Sequence, residues 1–187
     1  DLRTSRGLGD VYKRQHVLSI SNGSNYLFAE YMIDALSKVF QYDYNGKLVR
    51  EIKLSADGSA GGFSGKRDQE TLYYSFSNYH TPSSSFAFNP KTGETSQYWT
   101  PEIDFDANDF ESKQVFYSSK DGTKVPLMIT YRKGLELTGD TPTILYGYGG
   151  FNISLTPSFS ITNAVWLMQG GISVSYTHLT LPTRAVV

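Results

Sequence analysis

The sequence has 187 residues, and its 17 lysine and arginine residues nearly balance 18 aspartate and glutamate residues, for a net charge of −1. This balance shows no electrostatic footprint for nucleic acid or an anionic membrane, and no apolar run approaches the ~20 residues that span a bilayer, so we expect neither partner. The sequence contains no cysteine, which excludes a disulfide framework and a cysteine nucleophile and leaves the compartment, cytoplasmic or periplasmic, open.

The two ends of the chain differ in character from its middle. Residues 10–15 can be encoded by GATGTGTATAAGAGACAG, and residues 174–178 by the reverse complement of that string in a shifted frame. Both strings resemble sequencing adapters of the transposase type, and translated adapter is not part of a natural fold. We therefore expect residues 1–15 and 173–187 to be adapter-derived tails, the alternative being two natural and unrelated tails.

Strand patterns dominate residues 16–100, which are rich in aromatic and β-branched side chains. Segments 26–31 and 39–44 are followed by Asn45-Gly46, a strong hairpin signal, and segment 47–54 returns as a strand. The sequence thus predicts a meander of antiparallel strands.

A second set of strand segments follows at a constant distance from the first. Leu72 lies 46 positions after Tyr26, and Phe88 lies 46 positions after Tyr42. A period of 40–50 residues with several strands per unit is typical of a β-propeller blade, and blades require neighbours to bury their faces. We predict that residues 16–100 form the C-terminal blades of a propeller, the alternative being a meander or sandwich with coincidental spacing. The glycine-rich residues 61–65 are predicted as a turn between blades.

The composition changes after Trp99. Residues 101–111 are acidic and predict a linker, and segments 114–119 and 124–131 predict strands joined by a hairpin turn at Asp121-Gly122.

A short apolar run at residues 143–146 is of the kind found in a strand buried on both faces. It ends in the glycine-rich residues 147–150, and residues 163–169 predict a helix. A strand, a glycine loop and a helix in this order are typical of a mostly parallel α/β sheet. We therefore predict that residues 101–172 contain the linker and the start of an α/β domain.

Three segments resemble the prolyl oligopeptidase family of serine peptidases. They are residues 144–159 (ILYGYGGFNISLTPSF), residues 115–126 (VFYSSKDGTKVP) and residues 61–65 (GGFSG). The resemblance runs through most of residues 16–172. It implies that the chain is an internal fragment, with the last blades of a propeller followed by the first strands of an α/β-hydrolase domain. It further implies hydrolysis of short peptides after proline, a propeller that restricts access, and no cofactor or metal.

The resemblance also implies site residues. The hydroxyl of Tyr148 would donate a hydrogen bond to the oxyanion of the tetrahedral intermediate, and a preorganised donor of this kind lowers a barrier by about 3–4 kcal/mol. Phe151 would form a wall of the substrate pocket, and Gly147, Gly149 and Gly150 would shape the loop that presents Tyr148. The alternative for both aromatic residues is a structural role.

The catalytic triad of such a peptidase is not in the sequence. No G-x-S-x-G motif occurs, since Ser64 is followed two positions later by Lys66. His16 and His80 precede Tyr148, which is the wrong order for the base of a Ser-Asp-His triad, and three histidines in all make a zinc site a poor fit. We expect the chain alone to be inactive.

Two other functions stay open from the sequence. One is a related oligopeptidase of different specificity, such as cleavage after basic residues. The other is a non-catalytic propeller that binds partners, which would continue the 46-residue repeat beyond Thr100. The oligomeric state is open.

Overall fold

The computed structural model describes residues 16–120, 122, 124–148 and 154–176. Twelve strands in this part of the chain form three four-stranded sheets, and one α-helix of eight residues lies between the last two strands. The expected fold class, a mainly β chain with propeller blades followed by the first strands of an α/β sheet, is confirmed. No helix within these described ranges is long and apolar enough to cross a membrane.

The first sheet is an antiparallel meander in which each strand pairs with the next along the chain. Its strands are β1 (His16–Gly23), β2 (Tyr26–Ile33), β3 (Leu36–Tyr42) and β4 (Leu48–Ile52). Asn45 and Gly46 lie between β3 and β4, as the sequence predicts. The Asp43 carboxylate accepts hydrogen bonds of 2.9 Å from the backbone N–H groups of Asn45 and Lys47, which fixes this turn.

The other two hairpin turns of this sheet contain no glycine. Ser24 and Asn25 join β1 to β2, Asp34 and Ala35 join β2 to β3, and all four residues have φ between 50° and 65°. Left-handed backbone at both central positions matches the right-handed twist of the flanking strands. Alanine is rarely found in this conformation, so the sequence carries no clear signal for the second turn.

The second sheet repeats the meander with β5 (Ser59–Gly62), β6 (Leu72–Ser77), β7 (Ser84–Phe88) and β8 (Thr95–Trp99). β6 begins 46 residues after β2 and β7 ends 46 residues after β3, which confirms the predicted spacing. The two ladders nevertheless differ by one residue, because Leu27 lies opposite Tyr42 whereas Leu72 lies opposite Phe88. A one-residue difference moves a side chain to the other face of a strand, so Phe28 corresponds to Tyr73 and not to Tyr74.

The prediction of a turn at residues 61–65 is wrong in part. Gly61 and Gly62 are the last residues of β5 and pair with β6 inside the second blade. Glycine is uncommon in strands, which hides β5 in the sequence. A Cβ on Gly62 would lie 3.0 Å from the Tyr73 carbonyl oxygen, so glycine permits the close approach of β5 and β6.

The two blades pack face to face over an apolar core to which both contribute. Phe63, which is 2% exposed, stacks on Tyr74 with ring centroids 4.5 Å apart and on Phe28 of the first blade at 5.6 Å. Gln41 on β3 donates a hydrogen bond of 2.8 Å to the carbonyl of Pro90, which follows β7. Each fully buried phenyl ring contributes about 1.5–3 kcal/mol to the free energy of folding, so the aromatic stack stabilises the contact between the blades.

The third sheet contains both antiparallel and parallel pairs, in the order β11-β12-β10-β9. Its elements, after a 3-10 helix (Ala107–Asp109), are β9 (Phe110–Ser118), β10 (Lys124–Arg132), β11 (Thr143–Gly147), α1 (Ile161–Met168) and β12 (Ile172–Tyr176). β9 and β10 form the predicted hairpin, and the predicted helix is present as α1. β11 and β12 are parallel and α1 lies between them in the chain, the unit from which α/β domains are built.

Two expectations about this sheet are wrong. The sequence predicts that β11 is buried on both faces, but β11 forms an edge, and Ile144, Leu145 and Tyr146 are 41%, 64% and 59% exposed. The sequence also predicts a mostly parallel sheet, but among the described strands of this sheet only β11 and β12 form a parallel pair. β12 lies between β11 and β10, and no described strand pairs with the other side of β11.

The segments predicted as tails lie mostly outside the described residues. Residues 173–176, at the start of the second tail, form part of β12, where they pair with both β10 and β11. The adapter origin of residues 1–15 and 173–187, and the domain boundaries placed after residues 100 and 172, stay predictions.

Candidate functional site

Tyr148 directly follows β11, at the carboxyl end of a strand in a parallel pair. In α/β sheets, ligands bind in the crevice outside the carboxyl ends of the strands. Tyr148 is 37% exposed. The residue with the strongest functional expectation therefore lies where this type of sheet carries out its chemistry.

Gly147, the last residue of β11, lies opposite Tyr176 on β12. A Cβ on Gly147 would collide with the Tyr176 ring. The sequence assigns Gly147 to a sharp turn, but Gly147 is not among the described glycines with positive φ, and what glycine provides here is space. The other predicted loop residues, Gly149, Gly150 and Phe151, lie outside the described residues.

The chain that follows the tyrosine-glycine block is attached to the second blade. The Ser59 hydroxyl donates a hydrogen bond of 2.7 Å to the carbonyl of Pro157. The backbone N–H of Phe159 donates a hydrogen bond of 3.2 Å to the Ser77 hydroxyl. Residues 154–160, which lead to α1, are thus held against the propeller.

His80, in the loop between β6 and β7, joins the second blade to the third sheet. Its Nδ1 atom lies 2.8 Å from the Ser112 hydroxyl on β9, and that hydroxyl lies 2.8 Å from the Thr130 hydroxyl on β10. Burial lowers the pKa of His80 below its ordinary value, and the positive charge of Lys133 acts in the same direction, whereas Glu111 opposes it. Protonation of the imidazole is therefore disfavoured at the contact between the propeller and the sheet.

His80 and Ser112 have the spacing of a general base and a nucleophile, but their other contacts indicate a structural role. The Ser112 hydroxyl also contacts Thr130, which is 1% exposed. In the part of the chain that the structure describes, no side chain forms a hydrogen bond with the second ring nitrogen of His80. A catalytic pair needs such a third group to orient the base. The prediction that His80 lies in a loop is confirmed. Its partner Ser112 is 32 residues away, and no sequence pattern predicts that contact.

A further contact joins the first blade to the third sheet. Leu36, Tyr79 and Met128 form a buried apolar cluster across this boundary. Gln114 on β9 donates a hydrogen bond of 2.7 Å to the carbonyl of Asp34, in the turn between β2 and β3. Both blades therefore contact the sheet that carries Tyr148.

A cleft of about 630 Å³ lies where the second blade, the linker and the third sheet meet. Its lining includes four phenylalanines and two basic residues: Phe76, Phe86, Phe105, Phe110, His80 and Lys133. Neither Gly147 nor Tyr148 lines this cleft, so it is distinct from the site that the sequence predicts.

Comparison with known proteins agrees with this architecture. The family model described as the prolyl oligopeptidase N-terminal beta-propeller domain matches residues 11–101. The chain is 54% identical over 155 residues to the prolyl endopeptidase of Elizabethkingia meningoseptica, which covers 83% of this chain and 22% of that protein. It thus spans about a fifth of the length of the curated relatives that it matches.

Solved structures show the same likeness. A structure from a study of inter-domain dynamics in two prolyl endopeptidases superposes with a TM-score of 0.77 at 35% identity, over 87% of this chain and 24% of that one. Prolyl oligopeptidase B of Galerina marginata, bound to a 25mer macrocyclization substrate, gives a TM-score of 0.77 at 28% identity, over 88% of this chain and 24% of that one. With its two blades, its mixed sheet and these relatives, the chain belongs to the prolyl oligopeptidase family.

Proposed function

We propose that this chain is part of a serine-type oligopeptidase that hydrolyses short peptides on the carboxyl side of proline. The observation that carries the proposal is the position of Tyr148, at the carboxyl end of β11 in a sheet that contacts the propeller blades. The names of the relatives, prolyl endopeptidase and prolyl oligopeptidase, support peptide substrates and the preference for proline.

Tyr148 has the chemistry that the reaction requires. When a serine attacks a peptide carbonyl, negative charge develops on the carbonyl oxygen. A phenol O–H group already in position stabilises that charge without reorganisation of the protein, and loss of one such donor lowers kcat by about 10²–10³-fold. We therefore assign oxyanion stabilisation to Tyr148, and we retain Phe151 as a proposed wall of the substrate pocket.

The proposed activity requires residues beyond those of this sequence. The 187 residues contain no G-x-S-x-G motif for the nucleophile, and His16 and His80 both precede Tyr148. We propose that the chain alone is inactive and that the serine, aspartate and histidine of the triad belong to the full-length peptidase. The blades would then limit entry to short peptides.

The test compares Tyr148→Phe with the unsubstituted enzyme in the full-length peptidase that contains residues 16–172 of this chain. We expect kcat on a proline-containing peptide to fall by about 10²–10³-fold with little change in KM, because the phenol acts in the transition state. Tyr146→Phe is the matched control, since Tyr146 lies two residues earlier on β11 and is 59% exposed. A Tyr148→Phe enzyme with the kcat of the control would contradict the assignment.

Two measurements address the alternatives. A peptide panel with proline or arginine before the scissile bond measures specificity, and faster cleavage after arginine would favour the related oligopeptidase. A serine-directed phosphonate should label the full-length protein and leave this chain unlabelled. A full-length protein that resists the reagent would favour a binding propeller, although the parallel pair in the third sheet already departs from a simple blade repeat.

A further inference from the structure

The second blade carries two serines that face the segment after Tyr148. Ser59 on β5 and Ser77 on β6 are direct partners in the ladder of that sheet. The Ser59 hydroxyl donates to the Pro157 carbonyl at 2.7 Å, and the Ser77 hydroxyl accepts from the Phe159 N–H at 3.2 Å. These two adjacent hydrogen bonds join pairs of residues that lie 98 and 82 positions apart in the chain.

The donor and acceptor roles of the two hydroxyls are consistent with their other hydrogen bonds. Ser77 already donates its hydrogen to the carbonyl of Thr81 at 3.0 Å, which leaves its lone pairs for the Phe159 N–H. Pro157 is buried, and an unpaired buried carbonyl would be costly, so the hydrogen bond from Ser59 satisfies it. The two serines, one as donor and one as acceptor, recognise the backbone of the segment and form what we call the serine clamp.

Apolar packing supports the serine clamp from the linker. The Phe159 ring meets the Phe105 ring edge-on with centroids 5.6 Å apart, and Phe105 stacks on Phe110 at the start of β9 with centroids 4.7 Å apart. Phe110 is 2% exposed. The segment is therefore fixed by side chains of the blade and of the linker, and not by its own sheet alone.

β11 holds the residues that precede Tyr148, and the serine clamp holds residues 154–160, which follow it in the chain. On one side, Gly147 is paired with Tyr176 in the sheet. On the other side, Pro157 and Phe159 are paired with the blade. A catalytic group displaced by about 1 Å can lose 10²-fold in rate, so contacts on either side of Tyr148 in the chain bear on its position.

We infer that Ser59 and Ser77 are positioning residues for Tyr148, so that the geometry of the oxyanion donor depends on contact between the second blade and the segment at residues 154–160. The inference rests on the proposed role of Tyr148. It makes the propeller a part of the catalytic geometry, in addition to any role in limiting access.

The first experiment uses this chain and measures amide hydrogen exchange. Ser77→Ala and the double variant Ser59→Ala/Ser77→Ala should accelerate exchange in residues 154–160, including the Phe159 amide, while protection in β7 and β10 is retained. Ser75→Ala is the matched control, because Ser75 lies on the same strand and its hydroxyl donates within the blade to Gly61 at 3.1 Å. Ser59→Thr/Ser77→Thr retains both hydroxyls and should restore the protection. Unchanged exchange in the alanine variants would overturn the inference.

The second experiment measures kcat in the full-length peptidase, for the serine variants alone and in combination with Tyr148→Phe. Ser59→Ala/Ser77→Ala should lower kcat by about 10- to 100-fold with little change in KM, and the threonine pair should recover it. In the Tyr148→Phe background, the same alanine pair should have almost no further effect on kcat, since residues that act through one another are not additive.

These measurements distinguish failure of the proposed role of Tyr148 from failure of the positioning role of Ser59 and Ser77. If Tyr148→Phe leaves kcat unchanged, the proposed role of Tyr148 fails and the inference fails with it. In a second case, Tyr148→Phe lowers kcat but Ser59→Ala/Ser77→Ala does not, or the separate reductions in kcat multiply fully when the substitutions are combined. Then only the positioning role of the serine clamp is wrong.

Discussion

The imidazole of His80 and the hydroxyl of Ser112, 32 residues apart in sequence, lie 2.8 Å apart and join the second blade to β9. The Ser112 hydroxyl also lies 2.8 Å from the Thr130 hydroxyl on β10. The same boundary carries the apolar cluster of Leu36, Tyr79 and Met128. Polar and apolar contacts together therefore hold the blades against the sheet that carries Tyr148.

This relationship predicts a pH dependence of stability. The pKa of His80 is lowered by burial and by Lys133, so in the folded chain it stays neutral at pH values where the unfolded histidine, with a pKa of about 6.5, takes up a proton. The free energy of unfolding should therefore be highest above pH 6.5, fall as the pH drops below that value, and stop falling once the folded imidazole also titrates.

Denaturant unfolding between pH 8 and pH 5 measures this effect. His80→Asn keeps a polar side chain but does not titrate, and it should remove most of the fall below about pH 6.5. His16→Asn is the control and should keep the fall. A His80→Asn chain with the same pH profile as the unsubstituted chain would show that another group is responsible.

The core between the blades predicts a large loss in the free energy of unfolding when one of its buried rings is removed. Phe63→Ala should lower the free energy of unfolding by about 3–5 kcal/mol, because the ring is 2% exposed and stacks on Phe28 and Tyr74. Tyr98 is 66% exposed and its ring contacts the Tyr73 ring edge-on with centroids 4.8 Å apart, so Tyr98→Ala should cost only about 0.5–1.5 kcal/mol. Equal losses for the two variants in urea unfolding would refute the assigned core.

The contact of Gly147 with Tyr176 predicts a coupled pair. Gly147→Ala should cost about 1–3 kcal/mol, because its Cβ has to enter the space of the Tyr176 ring. In a Tyr176→Ala background that space is open, and Gly147→Ala should cost much less. A double-mutant cycle measured by thermal unfolding tests this, and full additivity would place the strain elsewhere.

The outer face of the second blade predicts self-association of the isolated chain. Tyr73 and Trp99 occupy the positions that Phe28 and Ile52 hold in the contact between the blades, yet they are 43% and 54% exposed. Exposed aromatic patches and strand edges promote association.

Sedimentation velocity over a range of concentrations should show oligomers of the unsubstituted chain. Tyr73→Ser/Trp99→Ser should reduce them. Tyr44→Ser, at a residue that is 50% exposed outside this face, should not. Association that is insensitive to the Tyr73 and Trp99 substitutions would assign it to another surface, such as the β11 edge.

The sequence predicts local structure well where a short segment contains the whole cause. Asn45-Gly46 marks a turn through its own backbone preferences, and the 46-residue spacing predicts two blades because each blade is one meander. The turn at Asp34 and Ala35 and the strand at Gly61 and Gly62 are missed for the opposite reason. Their conformations are imposed by the neighbouring strands and run against the preferences of the residues themselves.

The sequence by itself determined the mainly β character, the blade repeat, the hairpin of β9 and β10, and the place of Tyr148 after a strand. These follow from periodicity, turn residues and one long family-like segment, all of them local in the chain. Only the tertiary structure decided that β11 is an edge, that Ser112 faces His80, and that Ser59 and Ser77 bind the backbone after Tyr148. Such contacts join polar residues 32 to 98 positions apart, and a serine or histidine has no sequence pattern that specifies a distant partner.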